Sequence, residues 1–415
     1  MNAMRRGACP GVTMPMRTGD GLLARMLPEG PLAIEHFVTL CRASHAHGNG
    51  IMEVTQRGSL QVRGLSEGSA VQFADVVRSI GLGDRPGPAV LTPPLMGFEP
   101  HSIDLDSVMR LRKAIAAEPT LAKLSPKTSI VMDGDERLHL DQVFADIRVR
   151  AHGSTAVYLS IAGTAATASP LGYVPTQDIE QSVLAILSCI ARLGETARAR
   201  DLVADEVKAG LFAASPTAMR FGPAPAARPV VMGIGVHPLI DGSNALGIAL
   251  PFGFSEAGLL NHLAETAHAS GAHSICPAPG RTLLLLGLPS SAIQDISALA
   301  AGIGFVTQVT DARRYIIACA GAPACASALL DTRTLATQIA TAAAAYLDGS
   351  FDIHLSGCAK GCAHPKPAAL TLVGPNHLVV DGRATDTPNE TLPTSKLASA
   401  LVKACAAHQS KPVLA

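Results

Sequence analysis

The chain of 415 residues contains no tryptophan, and aromatic side chains make up only 3% of it. So little aromatic material excludes the stacking platforms with which many proteins bind single-stranded nucleic acid. Charged residues are also scarce, at 16%, and 33 basic residues balance 33 acidic ones. The chain therefore lacks the positive charge that a nucleic-acid-binding protein needs, and we expect no nucleic-acid partner.

Long apolar runs are missing as well. A run such as Leu283–Leu286 has the length of a strand, whereas a membrane span needs about 18 residues or more. Near the N-terminus, Gly7-Ala8-Cys9-Pro10-Gly11 follows two arginines where a signal peptide would need an apolar segment. We therefore expect a cytoplasmic protein without a membrane partner.

What the chain does have is a large apolar fraction, 48%, which is enough for a substantial core and excludes a disordered chain. At ~150 residues per domain, the length predicts two to four domains. An internal repeat organises them, with one copy at residues 21–82 and the other at residues 245–305. Each copy reads as strand, helix, two short strands and a second helix. This order predicts two ferredoxin-like half-domains in a pseudo-two-fold α+β molecule.

Apolar residues at helical spacing support both helices of each copy. The residues expected to face the core are Ile34, Phe37, Val38 and Cys41 with Leu259, Leu260 and Leu263 for the first helix, and Val71, Ala74 and Val77 with Ile293, Ile296 and Ile303 for the second.

Each repeat is followed by a larger segment with strands and helices of its own. A linker rich in proline, alanine and glycine, at 221–229, separates the two halves. The predicted units are a half-domain at 13–88, a sulfite-reductase-like α/β segment at 89–225, a second half-domain at 228–308 and a second α/β segment at 309–415. In the last segment we expect Asp331 to cap an alanine-rich helix, and a strand at 351–355 to enter a glycine-rich turn.

That last segment holds four grouped cysteines. Five residues separate Cys319 from Cys325, and three separate Cys358 from Cys362. With nine cysteines and no export signal, the group indicates metal or redox chemistry rather than disulfides. Zinc sites usually have two or three residues between paired cysteines. Five and three intervening residues suit a larger iron–sulfur cubane. The spacing favours a cluster over zinc and over four buried structural cysteines.

Three stretches resemble the nitrite and sulfite reductase family, and the likeness covers nearly the whole chain. They are Gly19-Asp20-Gly21-Leu22-Leu23, the stretch from Glu53 to Gly64, and the stretch from His354 to Pro365. Within the family, Ser356 to Ala363 resembles the branch that converts precorrin-3A to precorrin-3B in aerobic cobalamin biosynthesis.

The resemblance implies a monooxygenase that hydroxylates C-20 of the tetrapyrrole and forms a lactone from a ring acetate. Its partners would be precorrin-3A, O₂ and an external electron donor. It also implies a mononuclear non-haem iron, for which the sequence offers no ligand set. The implied [4Fe–4S] ligands are Cys319, Cys325, Cys358 and Cys362.

Precorrin-3A carries eight carboxylate side chains, so its protein needs arginine and lysine in a cleft. Arg57 and Lys127 match basic positions of the family and are the candidate catalytic residues. The candidate substrate-binding residues are Arg57, Arg63 and Lys127, with Arg148 and Arg150 behind them. A solvated surface charge is the alternative for each.

Three other residues lie in the matching stretches. His354 and His364 flank the last cysteine pair and are candidates for an iron ligand or for a hydrogen bond to the cluster or the backbone. Cys9 resembles the opening of the same branch, and we expect it to pack beside the cleft or to contact iron.

Two departures separate the chain from the siroheme enzymes of the family. The second lysine of their Lys-x-Lys strand is Ser129 here, and their Arg-Asn segment is Pro88-Ala89. Removing half of the positive charge makes the site poorly suited to hold sulfite or nitrite. Bound siroheme, and a ferredoxin- or NAD(P)H-dependent siroheme sulfite or nitrite reductase, are therefore the weaker hypotheses. The third hypothesis is a non-catalytic protein, either a zinc-stapled scaffold or an electron carrier. An electron carrier would hardly need two duplicated halves.

Overall fold

The computed structural model describes residues 10–84, 87–100, 103–125, 127–214 and 219–409. These residues form four five-stranded sheets with helices packed on them, which confirms the predicted α+β class. Cys9 lies outside the described residues. Within the described ranges, no helix is long and apolar enough to cross a membrane.

The first repeat follows the predicted order, with two further short strands, one at its start and one directly before its first helix. Its elements are β1 (Met16–Thr18), β2 (Gly21–Met26), β3 (Leu32–Ala33), α1 (Ile34–His47), β4 (Ile51–Val54), β5 (Leu60–Leu65) and α2 (Glu67–Ser79). The hydroxyl of Ser66 accepts a hydrogen bond from the Ser69 amide and so caps α2.

The first α/β segment begins with three parallel strands and ends with two antiparallel ones. Its elements are β6 (Ala89–Leu91), α3 (Leu105–Ala117), α4 (Pro119–Ala122), β7 (Ser129–Asp133), β8 (Ala145–His152), β9 (Ala156–Gly163), β10 (Ser169–Pro175), α5 (Ile179–Leu193) and α6 (Ala204–Ala214). Strands β6, β7 and β8 pair in parallel, and β9 and β10 extend the sheet in antiparallel fashion.

The second repeat has the same plan as the first. Its elements are β11 (Gly235–Pro238), β12 (Asn244–Ala249), β13 (Phe254–Glu256), α7 (Ala257–Ala269), β14 (Ser274–Ala278), β15 (Thr282–Leu288) and α8 (Ile293–Gly302).

The second α/β segment repeats the sheet of the first. Its elements are β16 (Ile316–Ala318), α9 (Thr332–Ala342), β17 (Ile353–Ser356), β18 (Ala368–Val373), β19 (His377–Gly382), β20 (Glu390–Thr391) and α10 (Leu397–Gln409). Strands β16, β17 and β18 pair in parallel, and β19 and β20 are antiparallel. Asp331 caps α9 as predicted, since its carboxylate accepts from the Thr334 amide at 3.1 Å.

The two repeats exchange a short strand. Strand β13 of the second repeat pairs with β4 of the first, and β3 of the first repeat pairs with β14 of the second. The sheet orders are therefore β1-β2-β5-β4-β13 and β11-β12-β15-β14-β3. Helix α1 packs against α7, and one apolar core runs through both repeats. The predicted half-domains thus form a single body, with Arg57 and Pro279 bridged where the two copies meet.

Two of the expected core residues are exposed instead. Val71 is 43% exposed and Leu259 is 37% exposed. In α2 the buried stripe is Ala70, Phe73, Ala74 and Val77, which follows the helical i, i+3, i+4, i+7 pattern, whereas Val71 lies off it. Leu259 is adjacent to the buried Leu260, and neighbouring helical positions are turned about 100° apart.

Candidate active site

The cysteine loops leave one edge of the second α/β sheet. Strand β16 ends directly before Cys319, and β17 ends two residues before Cys358. Because the two strands pair in parallel, both loops begin at the same edge. Among the described residues, no disulfide involves Cys319, Cys325, Cys358 or Cys362.

Backbone hydrogen bonds fasten these two loops to each other. The Leu329 amide donates to the Gly357 carbonyl at 2.7 Å. The Gly357 amide in turn donates to Cys319 Sγ at 3.1 Å, the kind of bond that stabilises a thiolate. A Cβ atom at Gly357 would lie 2.6 Å from the Cβ of Ala328, so this close approach requires glycine.

The arrangement of the thiols fits a cluster better than a single ion. Within the described ranges, no group of three or more His, Cys, Asp or Glu side chains is placed to hold one metal ion. A zinc ion needs donors about 2.0–2.3 Å from one point. The four thiolates of a cubane each bind a different iron, so they surround a larger volume. Two thiol-bearing loops at one sheet edge, with an amide directed at a thiol, fit an iron–sulfur cluster. The ligand set from the sequence stays a prediction.

The turn between β1 and β2 packs against the Cys325 loop. The Gly19 carbonyl accepts from the Ala326 amide at 2.9 Å, and a Cβ atom at Gly19 would lie 2.3 Å from Cys325 Sγ. The next residue, Asp20, accepts two hydrogen bonds from Arg63 at 2.7 and 2.8 Å. Sequence reasoning singled out this stretch by resemblance but gave it no role. In the structure it is a wall of the cysteine site.

Arg63 is held by protein carboxylates. Besides Asp20 it approaches Glu53, at 3.4 Å. Burial alone would raise the pKa of Asp20, but the hydrogen bonds and charge of Arg63 outweigh it and leave that pKa below its usual range. Burial likewise opposes the charge of Arg63, yet Glu53, Asp20 and the Cys325 thiol together raise its pKa. The structure thus places Arg63 beside the cysteine site, with its guanidinium already paired.

A polar row crosses the outer face of the first sheet, the face turned away from the core. Arg25 lies opposite Gln61, Gln61 opposite Glu53, and Glu53 opposite Phe254. Directly opposed residues point to the same face, so these four side chains form one line across β2, β5, β4 and β13. Arg333, in the first turn of α9, lies over the Phe254 ring with its guanidinium carbon 3.8 Å from the ring centroid. We call this line, from Arg25 to Arg333, the polar row.

Arg57 and Lys127 belong to a neighbouring region. Arg57 reaches the first α/β segment, where its Nη2 donates to the Phe144 carbonyl at 2.6 Å and to Ser129 Oγ at 3.2 Å. Lys127 is exposed two residues before Ser129. The structure therefore brings Arg57 to the first residue of β7, two residues after Lys127. Arg57 also lines a mainly apolar cavity of about 300 Å³, together with Arg112.

Arg148 and Arg150 donate hydrogen bonds to main-chain carbonyls. Arg148 is 4% exposed and donates to the Val143 and Leu140 carbonyls at 2.6 and 3.0 Å. Arg150 donates to the Ala226 carbonyl, in the linker between the halves, at 2.9 Å.

His354 is a core residue beneath the last cysteine loop. It is fully buried in β17, and neither ring nitrogen has a hydrogen-bond partner within the described residues. Its ring lies 5.6 Å from that of His364. Burial, with smaller contributions from His364 and Arg281, lowers the pKa of His354 to about 4, so the ring is neutral at physiological pH. His364 Nε2 donates to the Pro367 carbonyl at 3.3 Å, and a hydrogen bond to the backbone was one of the roles expected for this histidine.

The sequence missed Arg25 and Arg333. Arg25 is one charge on a strand whose neighbours Ala24 and Met26 are buried, and Arg333 lies at the start of a helix. A cation in the first helical turn faces the positive end of the helix dipole, and this unfavourable placement was the available signal.

No protein-family model matches the chain. It is 38% identical over 410 residues to a precorrin-3B synthase from Sinorhizobium, covering 97% of this chain and 88% of that protein. More distant relatives are sulfite reductase [ferredoxin] 2 of Mycolicibacterium paratuberculosis, with 24% identity over 85% of this chain and 69% of the relative, and the ferredoxin–nitrite reductase of Synechococcus elongatus, with 23% identity over 87% and 77%. Among solved structures, Mycobacterium tuberculosis NirA has the same fold, with a TM-score of 0.74, 17% identity and coverage of 95% of this chain and 82% of NirA.

Proposed function

The chain belongs to the precorrin-3B synthase family and is an oxidoreductase, and from this premise we propose that it oxidises precorrin-3A to precorrin-3B in aerobic cobalamin biosynthesis. The observation that carries the proposal is the 38% identity to a precorrin-3B synthase over 97% of the chain. The cysteine edge and the polar row supply the chemistry that such a substrate and reaction need.

The proposed reaction is a two-electron monooxygenation. One atom of O₂ becomes the C-20 hydroxyl, and the carboxyl of a ring acetate forms the lactone C–O bond at the macrocycle carbon next to C-20. The double bond between these two carbons is lost, and the carboxyl proton goes to the hydroxyl, so no water is lost in forming the lactone. The other atom leaves as water, with two electrons and two protons from an external donor. The product therefore contains one oxygen atom more than the substrate.

Cys319, Cys325, Cys358 and Cys362 would hold the [4Fe–4S] cluster. When bound, the cluster supplies single electrons. The Gly357 amide stabilises the thiolate of Cys319, and Gly19 and Asp20 close the site on the side of the first repeat.

The tetrapyrrole would lie along the polar row, beside the cysteine loops. Its carboxylates need charged hydrogen-bond donors, and the row with its surroundings contains several guanidinium groups. We keep Arg57 and Lys127 as the candidate catalytic residues at the neighbouring strand end, where Ser129 accepts a hydrogen bond from Arg57. Arg63 would contribute charge and position, because its hydrogen bonds go to Asp20.

The first test is an ultraviolet–visible spectrum of anaerobically purified protein, with iron and sulfide analysis of the same sample. We expect a broad shoulder near ~400 nm and about four sulfides per chain. A fifth iron would support the mononuclear centre. The protein should then convert precorrin-3A, with O₂ and a reductant, into a product that mass spectrometry shows to be heavier by one oxygen atom.

Two results would contradict the proposal. A sharp Soret band with further bands in the red, together with sulfite or nitrite reduction, would mean bound siroheme and the reductase alternative. A cluster-loaded protein that leaves precorrin-3A unchanged in the presence of O₂ and reductant would remove the assigned reaction.

A further inference from the structure

In the described part of the chain, two guanidinium groups at the ends of the polar row each have one buried donor without an acceptor. The Nε atoms of Arg25 and Arg333 are buried, and neither has a hydrogen-bond partner among the described residues. Arg63, on the same sheet, contrasts with them because Asp20 takes two of its donors. Buried donors normally find an acceptor, and leaving one unpaired is unfavourable.

Arg333 has nearby charges, but no described residue offers an acceptor to its buried donor. The charges of Glu53, Asp20 and Cys319 act on it. The group it packs against, however, is the face of Phe254, which offers no hydrogen-bond acceptor in the guanidinium plane. It also lies in the first turn of α9, where the helix dipole disfavours a cation. A carboxylate supplied from outside the protein would satisfy the donor and compensate the charge.

The two ends of the row are separated by a length that fits the substrate. Arg25 and Phe254 lie on β2 and β13, three strand spacings apart, which is about 14 Å at ~4.8 Å per strand. That is on the scale of a tetrapyrrole with its side chains. Gln61 and Glu53 lie between the two ends.

We propose that Arg25 and Arg333 each bind a carboxylate, at opposite rims of the tetrapyrrole, and thereby fix its orientation beside the cysteine loops. This inference rests on the proposed function. Arg25 and Arg333, rather than the paired Arg63, would then recognise the carboxylates. Both are substrate-positioning residues, and their loss acts on affinity before it acts on the cluster.

The test uses the cluster-loaded full chain and two probes, precorrin-3A and the air-stable octacarboxylate uroporphyrin III, each titrated under anaerobic conditions. We expect Arg25→Gln and Arg333→Gln each to weaken binding about 10-fold or more, because a hydrogen bond to a charged group is lost. The double variant should multiply the two effects, since sites this far apart act independently. Arg333→Lys should recover only part of the affinity, because lysine lacks the planar fork.

Arg42→Gln is the matched control. Arg42 is an exposed arginine of the same repeat, paired with Glu265, and its loss should leave the affinity unchanged. The absorbance near ~400 nm should be the same in all these variants. A loss of that absorbance in Arg333→Gln that parallels the loss of affinity would overturn the proposal, because Arg333 would then serve the cluster.

Failure of the inference differs from failure of the proposed function. If the wild-type protein converts precorrin-3A while Arg25→Gln and Arg333→Gln bind both probes as tightly as it does, the inference alone is wrong. If the wild-type protein binds neither probe, both are wrong.

Discussion

The two repeats have the same strands in the same order, yet their outer faces are opposites. On the second sheet, Ala245, Cys276, Leu284 and Leu286 form an apolar face, which packs with Leu95 and Leu138 of the first α/β segment. On the first sheet the corresponding face carries the polar row and meets the cysteine loops of the second α/β segment. The face of the second sheet packs two segments together through apolar contacts. The face of the first sheet keeps buried polar groups, whose removal from water is unfavourable.

The two α/β sheets also differ from each other, in the residues at the ends of their parallel strands. In the second, the loops after β16 and β17 carry the four cysteines. In the first, the end of β7 is held by charge instead: Arg228, from the linker, binds Asp133 and Asp141 at 2.7 and 2.6 Å. At the ends of their parallel strands, the second sheet thus carries thiols and the first carries ion pairs. The difference teaches that two sheets of the same topology can carry different chemistry at the same place.

The largest expected effect comes from breaking the cysteine edge. Cys362→Ala should abolish the absorbance near ~400 nm and all turnover of precorrin-3A, since a cubane held by three thiolates is open to solvent at one iron. Cys189→Ala, on α5 of the other half, is the control and should retain both. Full activity in Cys362→Ala would show that the cluster ligands are assigned wrongly.

A second substitution tests whether the first repeat shapes the cysteine site. Gly19→Ala would place a Cβ atom 2.3 Å from Cys325 Sγ, so the cysteine loop must move. We expect iron and sulfide content to fall to less than about half of the wild-type value. Gly30→Ala is the matched control, because a Cβ at Gly30 meets no atom within 4 Å. Equal iron content in the two variants would contradict the proposed wall.

Breaking the ion pairs at the end of β7 should have the smallest effect on turnover but a large effect on stability. Arg228→Ala removes the guanidinium that binds both Asp133 and Asp141, and leaves Asp141 only the more distant Arg148, at 3.7 Å. We expect a loss of about 3–5 kcal/mol in the free energy of unfolding at neutral pH. Spectra of the cluster should change little. Urea unfolding of both proteins measures the difference.

The pH dependence of that difference has a defined sign. Burial raises the pKa of Asp141, but the hydrogen bonds and charge of Arg228 bring it below its ordinary value. A carboxyl whose pKa is lowered on folding stabilises the protein above its unfolded pKa, about 3.9, and that contribution is lost as the pH falls through the lower folded pKa. The gap between wild type and Arg228→Ala should therefore be complete above about pH 5 and shrink in stronger acid. A gap that widens toward acid pH would contradict this assignment.

The sequence was informative where a pattern has a period or a fixed spacing. The repeat, the α+β class and the cap at Asp331 follow from apolar periodicity and helix signals, and the structure contains them. The cysteine loops were recognisable because a strand and a glycine turn precede Cys358. The resemblance to a family then supplied the reaction, which periodicity could not.

The exchange of β3 and β13 could not be foreseen, because strands of two and three residues carry no readable alternation. The roles of the arginines were equally hidden. Arg63 was a substrate-binding candidate from the sequence, but only the fold shows that Asp20 occupies its donors, and only the fold distinguishes it from Arg25 and Arg333.

Because the two repeats exchange strands, the single chain has the architecture of a domain-swapped dimer. A fragment containing only the first repeat and its α/β segment would expose the edge of β4 that β13 covers in the whole chain. An uncovered edge is a template for pairing with another copy, so such a fragment would tend to associate with itself. The two copies have diverged in their faces, yet each supplies a strand to the sheet of the other, and any engineering of one half must preserve that strand.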